Sequence, residues 1–383
     1  MLRFLTAGES HGPGLVTIVE GLPAGLEVSG EGIGIELARR RLGYGRGARM
    51  KIERDELEIM GGVRHGRTLG SPVAVVIRNT EWPRWQEEMS PEAGVPKRPM
   101  TTPRPGHADL VGMLKYDTKD ARNILERASA RETAARTVAG YLAKQLLAAI
   151  GSTVVSHVVA VGEAISNSMD LPTIDDLPAI DASPIRAFGT EVEAEMIAEV
   201  EGAKADRDTL GGVVEVLVYG LPPGLGSYGQ WDRRITARLA EALMSIQAMK
   251  AVEIGDGLAS SRRRGSVAHD EIYYQDGEFV RNTDRAGGTE GGMTTGQPLR
   301  VRVAMKPLST VMRPLPTVNV VTKEPEVAFR ERSDVCAVPA AGVVAEQMVA
   351  IVAAQEMQRK FGGDTVDDFI VNVASYRHRI STF

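Results

Sequence analysis

His11 lies in a glycine-rich run, GESHGPG at 8–14, and it is one of only six histidines among 383 residues. An imidazole titrates near pH ~6.5, so it can donate or accept a proton at neutral pH. The glycines beside it let the backbone approach a ligand closely. This pattern predicts proton chemistry on a bound anion. The alternative is a turn whose histidine only satisfies hydrogen bonds of its own loop.

Arginines are concentrated where the chain also supplies glycine. Arg39, Arg40 and Arg41 are followed by Arg46 and Arg49, with glycines interleaved among the last of them. Guanidinium groups bind phosphate and carboxylate through two parallel hydrogen bonds. Several arginines around one pocket therefore suit a small substrate that carries both groups, whereas the alternative is a solvated helix end.

His107 lies in the turn PRPGHAD at 103–109, which also holds Arg104. Prolines on both sides of the arginine make the turn rigid. A histidine two residues before an aspartate can also ligate a metal or be purely structural, but no third ligand follows at a recognisable spacing. The motif therefore predicts a fixed histidine beside a cation, and no metal site.

A further motif, RASARE at 127–132, opens a helix. Free backbone amides and the helix dipole favour an anionic group at such a start. Ser129 lies between Arg127 and Arg131, and it alternatively serves only as an N-cap. Together these motifs predict an anion site whose parts are far apart in the chain.

The composition gives no general reason to expect a polyanion or a membrane as partner. The chain has 45 basic and 50 acidic residues, so its net charge is −5 and the arginine clusters need a local explanation. Cys336 is the single cysteine, which excludes an intramolecular disulfide and fits a reducing cytosol. No signal-length apolar segment follows Met1, and no run of about 18 apolar residues is apparent, so we expect a soluble cytoplasmic protein.

A nucleic-acid-binding module is an alternative use of the arginine clusters. It would combine residues 39–49 with the run Arg262 to Arg264. Such a module needs aromatic platforms beside its arginines, and only Tyr44 is near. Strongly salt-dependent binding to DNA would be its signature, and we expect no nucleic-acid partner.

Sequence motifs that occur twice in the same order indicate an internal duplication. GLPAGL at 21–26 is repeated as GLPPGL at 220–225, and each follows a strand-like apolar run. The spacing GG-x3-G-x3-G-x-P occurs at 61–72 and again at 287–298. A third echo pairs ERAS with ERSD, and each leads into an apolar helical stretch; these four-residue runs lie at 126–129 and 331–334.

We expect one domain over residues 1–383, and the repeated motifs predict pseudo-symmetric halves at about 1–150 and 205–383. Apolar residues recur at helical spacing near 130–146, 235–246 and 344–351, and they alternate with charged residues near 301–306. We therefore expect an α+β fold in which helices are sandwiched with antiparallel sheets around one core, a β-α-β sandwich. The stretch from Asn79 to Pro105 has no period and predicts a long functional loop or an oligomer contact.

A glycine pattern at 224–229, GLGSYG, matches the G-x-G-x-x-G motif of dinucleotide-binding folds. That motif needs a helix followed directly by a second parallel strand with an acidic residue at its end. Here the chain after Met249 runs into Gly255, Gly257 and an arginine run, and the echoed turn at 25–30 lacks the pattern. We therefore reject a nucleotide-binding fold at this position.

Four separated motifs extend over nearly the whole chain: GESHGP at 8–13, RPGHAD at 104–109, RASARET at 127–133 and RSDVCAVP at 332–339, and KPLST at 306–310 adds a fifth segment. Taken in order, they resemble chorismate synthase. One departure is Ala128, where many members of the family carry serine. That difference puts one hydroxyl contact near the flavin in doubt.

The resemblance implies anti-1,4-elimination of phosphate from 5-enolpyruvylshikimate 3-phosphate, which gives chorismate. The family requires reduced FMN (FMNH2) although no net oxidation occurs, because the flavin can act as a transient electron donor and proton acceptor. It also implies that His11 donates a proton to the departing phosphate, that His107 keeps the charge state of the flavin correct, and that Asp334 assists proton removal near flavin N5.

The family's binding residues can be carried over onto matching positions of this chain. The implied substrate contacts are Arg40, Arg46, Arg49, Arg104, Ser129, Arg131 and Arg332. The implied flavin contacts are Arg127, Ala128, Ser129, Gln247, Ala248, Gly291, Lys306, Pro307, Leu308, Ser309, Thr310 and Arg332. The resemblance further implies a homotetramer. Electrons would come from NADPH or from an external flavin reductase, and an NADPH-dependent flavin reductase remains an alternative activity for the same flavin pocket.

Overall fold

The computed structural model describes residues 1–46, 56–166, 168, 170–329, 331 and 333–383. Arg49 and Arg332 therefore lie outside the described residues. In the described part, the strands are β1 (Arg3–Ala7), β2 (Gly14–Glu20), β3 (Glu56–Gly61), β4 (Val63–Arg64), β5 (Arg67–Thr68), β6 (Val73–Arg78), β7 (Thr153–Val161), β8 (Ala164–Ile165), β9 (Gly212–Tyr219), β10 (Met249–Ile254), β11 (Ile272–Gln275), β12 (Glu278–Arg281), β13 (Thr289–Glu290), β14 (Met293–Thr294), β15 (Leu299–Met305), β16 (Pro316–Val318) and β17 (Pro325–Val327).

Helices connect these strands. The α-helices are α1 (Gly30–Arg40), α2 (Asp109–Lys115), α3 (Arg122–Ala128), α4 (Thr133–Ala148), α5 (Leu177–Ala182), α6 (Glu193–Ala205), α7 (Ile235–Met244), α8 (Gly257–Ser260), α9 (Gly265–Ala268), α10 (Val338–Phe361) and α11 (Val366–Ser381). Short 3₁₀ helices span Trp82–Arg84, Ala130–Glu132, Ile174–Asp176 and Trp231–Arg233.

Two antiparallel sheets carry most of the strand residues. The first has the order β1-β2-β6-β3, and the second has the order β10-β15-β9-β7-β8. Read from β7, the second sheet runs β7-β9-β15-β10, so its strands follow the same relative order in the chain as those of the first. The expected mixture of helices and antiparallel sheets is confirmed.

The inward faces of the sheets are made by alternating apolar residues. In β2, Leu15 and Val19 are buried, while Ile18 between them points outward. Thr17 also faces inward, and its hydroxyl donates to the backbone carbonyl of Ala135 in α4 at 2.8 Å. The alternation therefore fixes which face of the sheet meets the helices.

The helices pack between strands of different sheets and on each other. Helix α4 contacts β1 and β2, whereas α10 contacts β7 and β9, and α4 and α10 contact each other. By length and composition α10 is the one helix in the described part that could cross a membrane, but 94% of the residues in its most apolar window are buried inside the protein. The sequence shows no unbroken run of about 18 apolar residues here, because polar residues such as Glu346 and Gln347 interrupt the helix.

A buried ion-pair network holds α1 against α10. Arg39 in the last turn of α1 donates to both carboxylate oxygens of Glu346, at 2.6 and 3.0 Å, and Lys144 donates to the same carboxylate at 2.7 Å. Burial alone would raise the pKa of Glu346, but these two cations hold that pKa below its usual value. Arg39 thus faces the core, and neither an anion pocket nor solvent is its environment.

The two turns that resemble each other in sequence also share their hydrogen bonds. The backbone amide of Gly25 donates to the carbonyl of Thr68 at 2.9 Å, and that of Gly224 donates to the carbonyl of Thr294 at 2.8 Å. Both glycines have positive φ, +88° and +81°. The turn at Gly224 leads through α7 into β10, which pairs antiparallel with β15, so a parallel dinucleotide-binding unit does not form.

The outward faces of the two sheets differ. On the first sheet, Leu5 pairs with Ile18, and both are exposed together with Met60. On the second sheet, the outward Leu217 is fully buried because Ile180 of α5 packs against it. One sheet is therefore covered on its outward face by its own chain, while the other leaves apolar side chains uncovered there.

Candidate active site

One cavity of about 500 Å³ gathers most of the residues that the sequence motifs single out. A volume of this size is typical of small-molecule sites. The predicted site residues that line it are His11, Arg40, Arg46, Arg104, His107, Ala128, Ser129, Arg131, Gln247, Ala248, Lys306, Leu308, Ser309, Thr310 and Asp334. Motifs from both ends of the chain therefore meet at a single place.

Cations predominate among the charged residues of the cavity lining. Four arginines and one lysine face two carboxylates in the described lining: Arg40, Arg46, Arg104, Arg131 and Lys306 against Glu331 and Asp334. Because a low-dielectric pocket strengthens the field of each charge, such a set favours an anionic ligand.

Helix α1 presents Arg40 to the cavity. Its Nε donates to the Thr133 hydroxyl at 2.8 Å and its Nη2 to the carbonyl of Ala130 at 3.0 Å. The neighbouring Arg39 is fixed in the buried network described above. Adjacent arginines on the helix thus have different roles, because consecutive side chains point about 100° apart.

Arg46 forms an ion pair with Asp334 at 3.0 Å. Burial lowers the pKa of Arg46, and the Asp334 carboxylate opposes that effect. The Nε of Arg46 is buried and has no hydrogen-bond partner among the described residues.

His11 is held by a carboxylate that the sequence analysis did not identify. The Glu126 carboxylate accepts from the His11 backbone amide at 2.8 Å, and both of its oxygens lie 3.0 Å from Nδ1 of the ring. Trp85 from the long loop after β6 stacks on the imidazole, with ring centroids 4.0 Å apart. The loop predicted to be functional therefore supplies one wall around this histidine.

His107 has its own carboxylate, Asp109, at the start of α2. The His107 Nδ1 makes a short contact with Asp109 Oδ1, and Arg104 donates to Asp109 through Nε at 2.8 Å and Nη2 at 3.1 Å. Burial alone would raise the pKa of Asp109, but the hydrogen bonds from His107 and Arg104 lower that pKa to about 2. The HAD segment is thus a fixed histidine–carboxylate pair, and the described residues contain no cluster that could hold a metal ion.

The segment after β15 lines the cavity together with residues of α3. Lys306 donates through its ammonium to the carbonyl of Gly106, and its backbone amide donates to the carbonyl of Ala248 at 3.0 Å. Burial and the nearby Lys250 lower the pKa of Lys306. These bonds join the loop of His107 to the second half of the chain.

Ser129 and Gln247 contribute polar atoms to the cavity. The Ser129 hydroxyl donates to that of Ser10 at 3.2 Å and accepts from the Arg131 amide at 3.3 Å, so it does cap the short helix Ala130–Glu132. The Gln247 side chain donates to Glu132 at 3.1 Å, while its Oε1 is buried with no hydrogen-bond partner in the described part of the chain.

Three predicted flavin contacts are not among the cavity-lining residues. Arg127 donates to the carbonyls of Gly8 at 3.1 Å and Thr6 at 2.9 Å. Gly291 lies at the exposed turn between β13 and β14. Pro307 does not line the cavity, although its neighbours Lys306 and Leu308 do. Arg49 and Arg332 fall outside the described residues.

Sequence reasoning missed Glu126, Asp109 and Trp85 as functional candidates. In the sequence, Glu126 stands out only as part of a repeated motif, and Asp109 only as the partner of His107 in an incomplete metal pair. A signal existed for both, because buried carboxylates commonly orient a functional histidine. No local pattern indicates that Trp85 would reach His11.

A cationic cavity that contains two carboxylate-bound histidines, within an α+β fold, defines an enzyme acting on a small anionic substrate. Comparison with known proteins narrows this class of enzyme to one family. A family model described as chorismate synthase matches residues 2–358. The chorismate synthase of Salinispora tropica is 60% identical over 385 residues and 98% of each chain, and that of Nocardia farcinica is 59% identical over 391 residues, covering 100% of this chain and 96% of the other.

A crystal structure of chorismate synthase superposes with a TM-score of 0.81 at 40% sequence identity, covering 100% of this chain and 99% of that one. The chain belongs to the chorismate synthase family. Its activity is therefore that of a lyase that produces chorismate.

Proposed function

We propose that the cavity binds 5-enolpyruvylshikimate 3-phosphate together with reduced FMN, and that phosphate is eliminated there in the anti-1,4 sense. The observation that carries this proposal is the meeting of the cations Arg40, Arg46, Arg104, Arg131 and Lys306 with two carboxylate-bound histidines in one cavity. The substrate carries a phosphate and carboxylates, which suit that charge. Departure of phosphate also requires a proton donor, and a histidine can supply it.

The lining fits a flavin as well as a substrate. Small or apolar side chains, such as Ala128, Ala248 and Leu308, offer a surface for a flat ring. The orphaned Oε1 of Gln247 offers a buried acceptor for a ring N–H. Reduced FMN supplies, when bound, transient electron density for cleavage of the carbon–oxygen bond.

In this proposal the chain's own residues bind the substrate and move its protons. His11 delivers a proton to the departing phosphate, and His107 keeps the charge state of the flavin site correct. Asp334 assists removal of the proton from the substrate carbon. The His11→Ala and His107→Ala variants should each lower turnover by roughly 10- to 10⁴-fold and keep the fold, because each removes a group that transfers protons.

The remaining contacts implied by the family also belong to this proposal. Ser129 would bind both ligands, Ser309 and Thr310 would bind the flavin, and Arg49 and Arg332 would complete the set. Arg127, Gly291 and Pro307 are kept as flavin contacts although they do not line the cavity of this single chain. Ala128 lacks the hydroxyl that many members of the family carry there, so one contact near the flavin would be absent, while the assignment to the family does not depend on it.

We also propose a homotetramer of cytoplasmic protein whose two related halves enclose the helices as a β-α-β sandwich. The identical relative strand order of the two sheets supports the duplication. The uncovered apolar face with Leu5 and Ile18 supports association, since the equivalent face of the second sheet is covered by the chain itself. Reducing equivalents would come from NADPH or an external flavin reductase.

Anaerobic turnover tests the proposal directly. Purified protein, 5-enolpyruvylshikimate 3-phosphate and chemically reduced FMN should yield chorismate and phosphate in equal amounts, and oxidised FMN should yield neither. Product formation that is independent of reduced flavin would contradict the cofactor assignment. Oxidation of NADPH with FMN alone would show whether the chain also reduces its own flavin.

A further inference from the structure

The Glu126 side chain is placed to control the His11 ring. Glu126 lies in α3 and is only 3% exposed. Its backbone carbonyl accepts from the amide of Ser10 at 3.0 Å, and its carboxylate accepts from the amide of His11 at 2.8 Å. Two consecutive amides of the loop and one ring nitrogen are thus fixed by a single residue of a neighbouring helix.

Arg122 and Trp85 support this arrangement from the other side. Arg122 Nη1 donates to Glu126 Oε1 at 2.8 Å, and its guanidinium lies 5.0 Å from the centroid of the Trp85 ring, which also stacks on His11. Two further carboxylates face Arg122 at the limit of ion pairing, Glu88 at 3.9 Å and Glu331 at 4.0 Å. Burial would raise the pKa of Glu126, but the hydrogen bonds and charges of His11 and Arg122 lower it, so the group stays ionised.

An ionised carboxylate can only accept hydrogen bonds. Nδ1 of His11, which lies 3.0 Å from both oxygens of Glu126, must therefore be the protonated nitrogen of the neutral ring. Nε2 is then the nitrogen that gains and loses the transferred proton. The stacking on Trp85 prevents the ring from rotating away from this orientation.

We propose that Glu126 is a positioning residue that holds the Nδ1–H of His11, so that Nε2–H of the imidazolium delivers its proton to the departing phosphate and leaves the ring as the neutral Nδ1–H tautomer. This proposal rests on the proposed role of His11 as proton donor. Glu126 touches neither substrate nor flavin in it, and Arg122 acts by keeping the carboxylate in place.

The first test compares Glu126→Gln with Glu88→Gln, because both carboxylates face Arg122 and only Glu126 contacts His11. The amide of Glu126→Gln can donate to Nδ1, which favours the wrong tautomer. We expect kcat to fall roughly 10- to 100-fold with little change in KM, because a misplaced ring loses part of the rate enhancement that a general acid contributes. Glu88→Gln should keep kcat within about twofold. Equal kcat in both variants would overturn the proposal.

The second test reads the tautomer without any turnover. In protein labelled with ¹⁵N-histidine, the His11 signals are assigned by their loss in His11→Gln. We expect the neutral wild-type ring and the Glu88→Gln ring to be protonated at Nδ1, and the Glu126→Gln ring to shift towards protonation at Nε2. A wild-type ring protonated at Nε2, or an unchanged tautomer in Glu126→Gln, would overturn the proposal. If Glu126→Gln fails to fold, the test uses the spectra of the wild type and of Glu126→Asp. The wild-type ring should be protonated at Nδ1, and the ring in Glu126→Asp should be too, because that variant keeps the negative charge.

A double variant separates this inference from the proposed function. If Glu126 acts through His11, the variant with both His11→Gln and Glu126→Gln should be no slower than His11→Gln alone. A further full 10- to 100-fold loss would show that Glu126 acts elsewhere. Wild-type turnover in His11→Gln would instead refute the role of His11 itself, while the NMR result would still report whether Glu126 sets the tautomer.

Discussion

Nη1 of Arg46 lies 3.0 Å from Oδ2 of Asp334, so the cation proposed to bind substrate is paired with the carboxylate proposed to assist deprotonation. In the proposed binding mode, a phosphate or carboxylate of the substrate would compete with Asp334 for this guanidinium. Binding of the substrate would then change the charge around Asp334 when its carboxylate assists deprotonation.

Arg46→Ala should lower kcat/KM by roughly 10- to 100-fold, because one charge-assisted hydrogen bond contributes ~1.5–3 kcal/mol. Steady-state kinetics under anaerobic conditions measure the effect. Arg78→Ala is the matched control, since it removes an exposed ion pair with Glu58, and neither residue lines the cavity. Unchanged kcat/KM in Arg46→Ala would remove this residue from the binding site.

Asp109→Asn should destabilise the fold in a pH-dependent way. The folded pKa is about 2 against an ordinary 3.8, so the ionised group contributes stability above pH 4 that is lost as the pH falls towards 2. At pH 7 the expected loss is about 2 kcal/mol, and the difference from wild type should narrow below pH 4. Denaturant midpoints at several pH values measure it, with the exposed Asp276→Asn as control. A difference that does not depend on pH would indicate that packing, and not charge, is responsible.

Asp284→Asn should have the opposite effect. Burial raises the pKa of Asp284 to about 6, with the amide of Gly288 and the charge of Arg300 opposing that rise, and its Oδ2 has no hydrogen-bond partner among the described residues. Because the folded pKa lies above the unfolded one, this group costs stability as the pH rises from about 4 through 6. We expect the variant to gain about 1 kcal/mol at pH 7, a value discounted because the side chain is only half-buried. Thermal unfolding at pH 4.5 and 7.5 should show the gain only at the higher pH.

Gly62 and Gly288 should respond alike to alanine. Their φ angles are +83° and +70°, and an added Cβ would lie 2.4 Å from the carbonyl oxygen of Pro72 and of Pro298, respectively. Each variant should lose at least about 2 kcal/mol of unfolding free energy. Gly34→Ala, in the exposed interior of α1 with nothing within 4 Å, should gain roughly 0.5–1 kcal/mol. Very different losses at the two turns would weaken the proposed duplication.

The sequence predicts the residue types of the site better than their partners. Glycine-rich turns and arginine clusters mark His11, His107 and Arg40 because their local chemistry is visible in a few adjacent letters. The link between His11 and Glu126 spans 115 positions, so it depends on how α3 packs against the loop after β1. Arg39 and Arg40 show the same limit, since only the helix orientation decides which one meets Glu346 in the core.

Helix α10 has a consequence for how the protein is made. It packs against the second sheet and against α1 and α4, and Arg39 and Glu346 are joined across 307 positions of the chain. Early in translation, α1 and α4 therefore lack the partner that buries them, and native contacts of such long range form slowly. When α10 does emerge, it is an apolar segment resembling a membrane span. Until α10 has packed, the apolar surfaces of its partners stay exposed, and exposed apolar surface of this kind favours aggregation of a nascent chain.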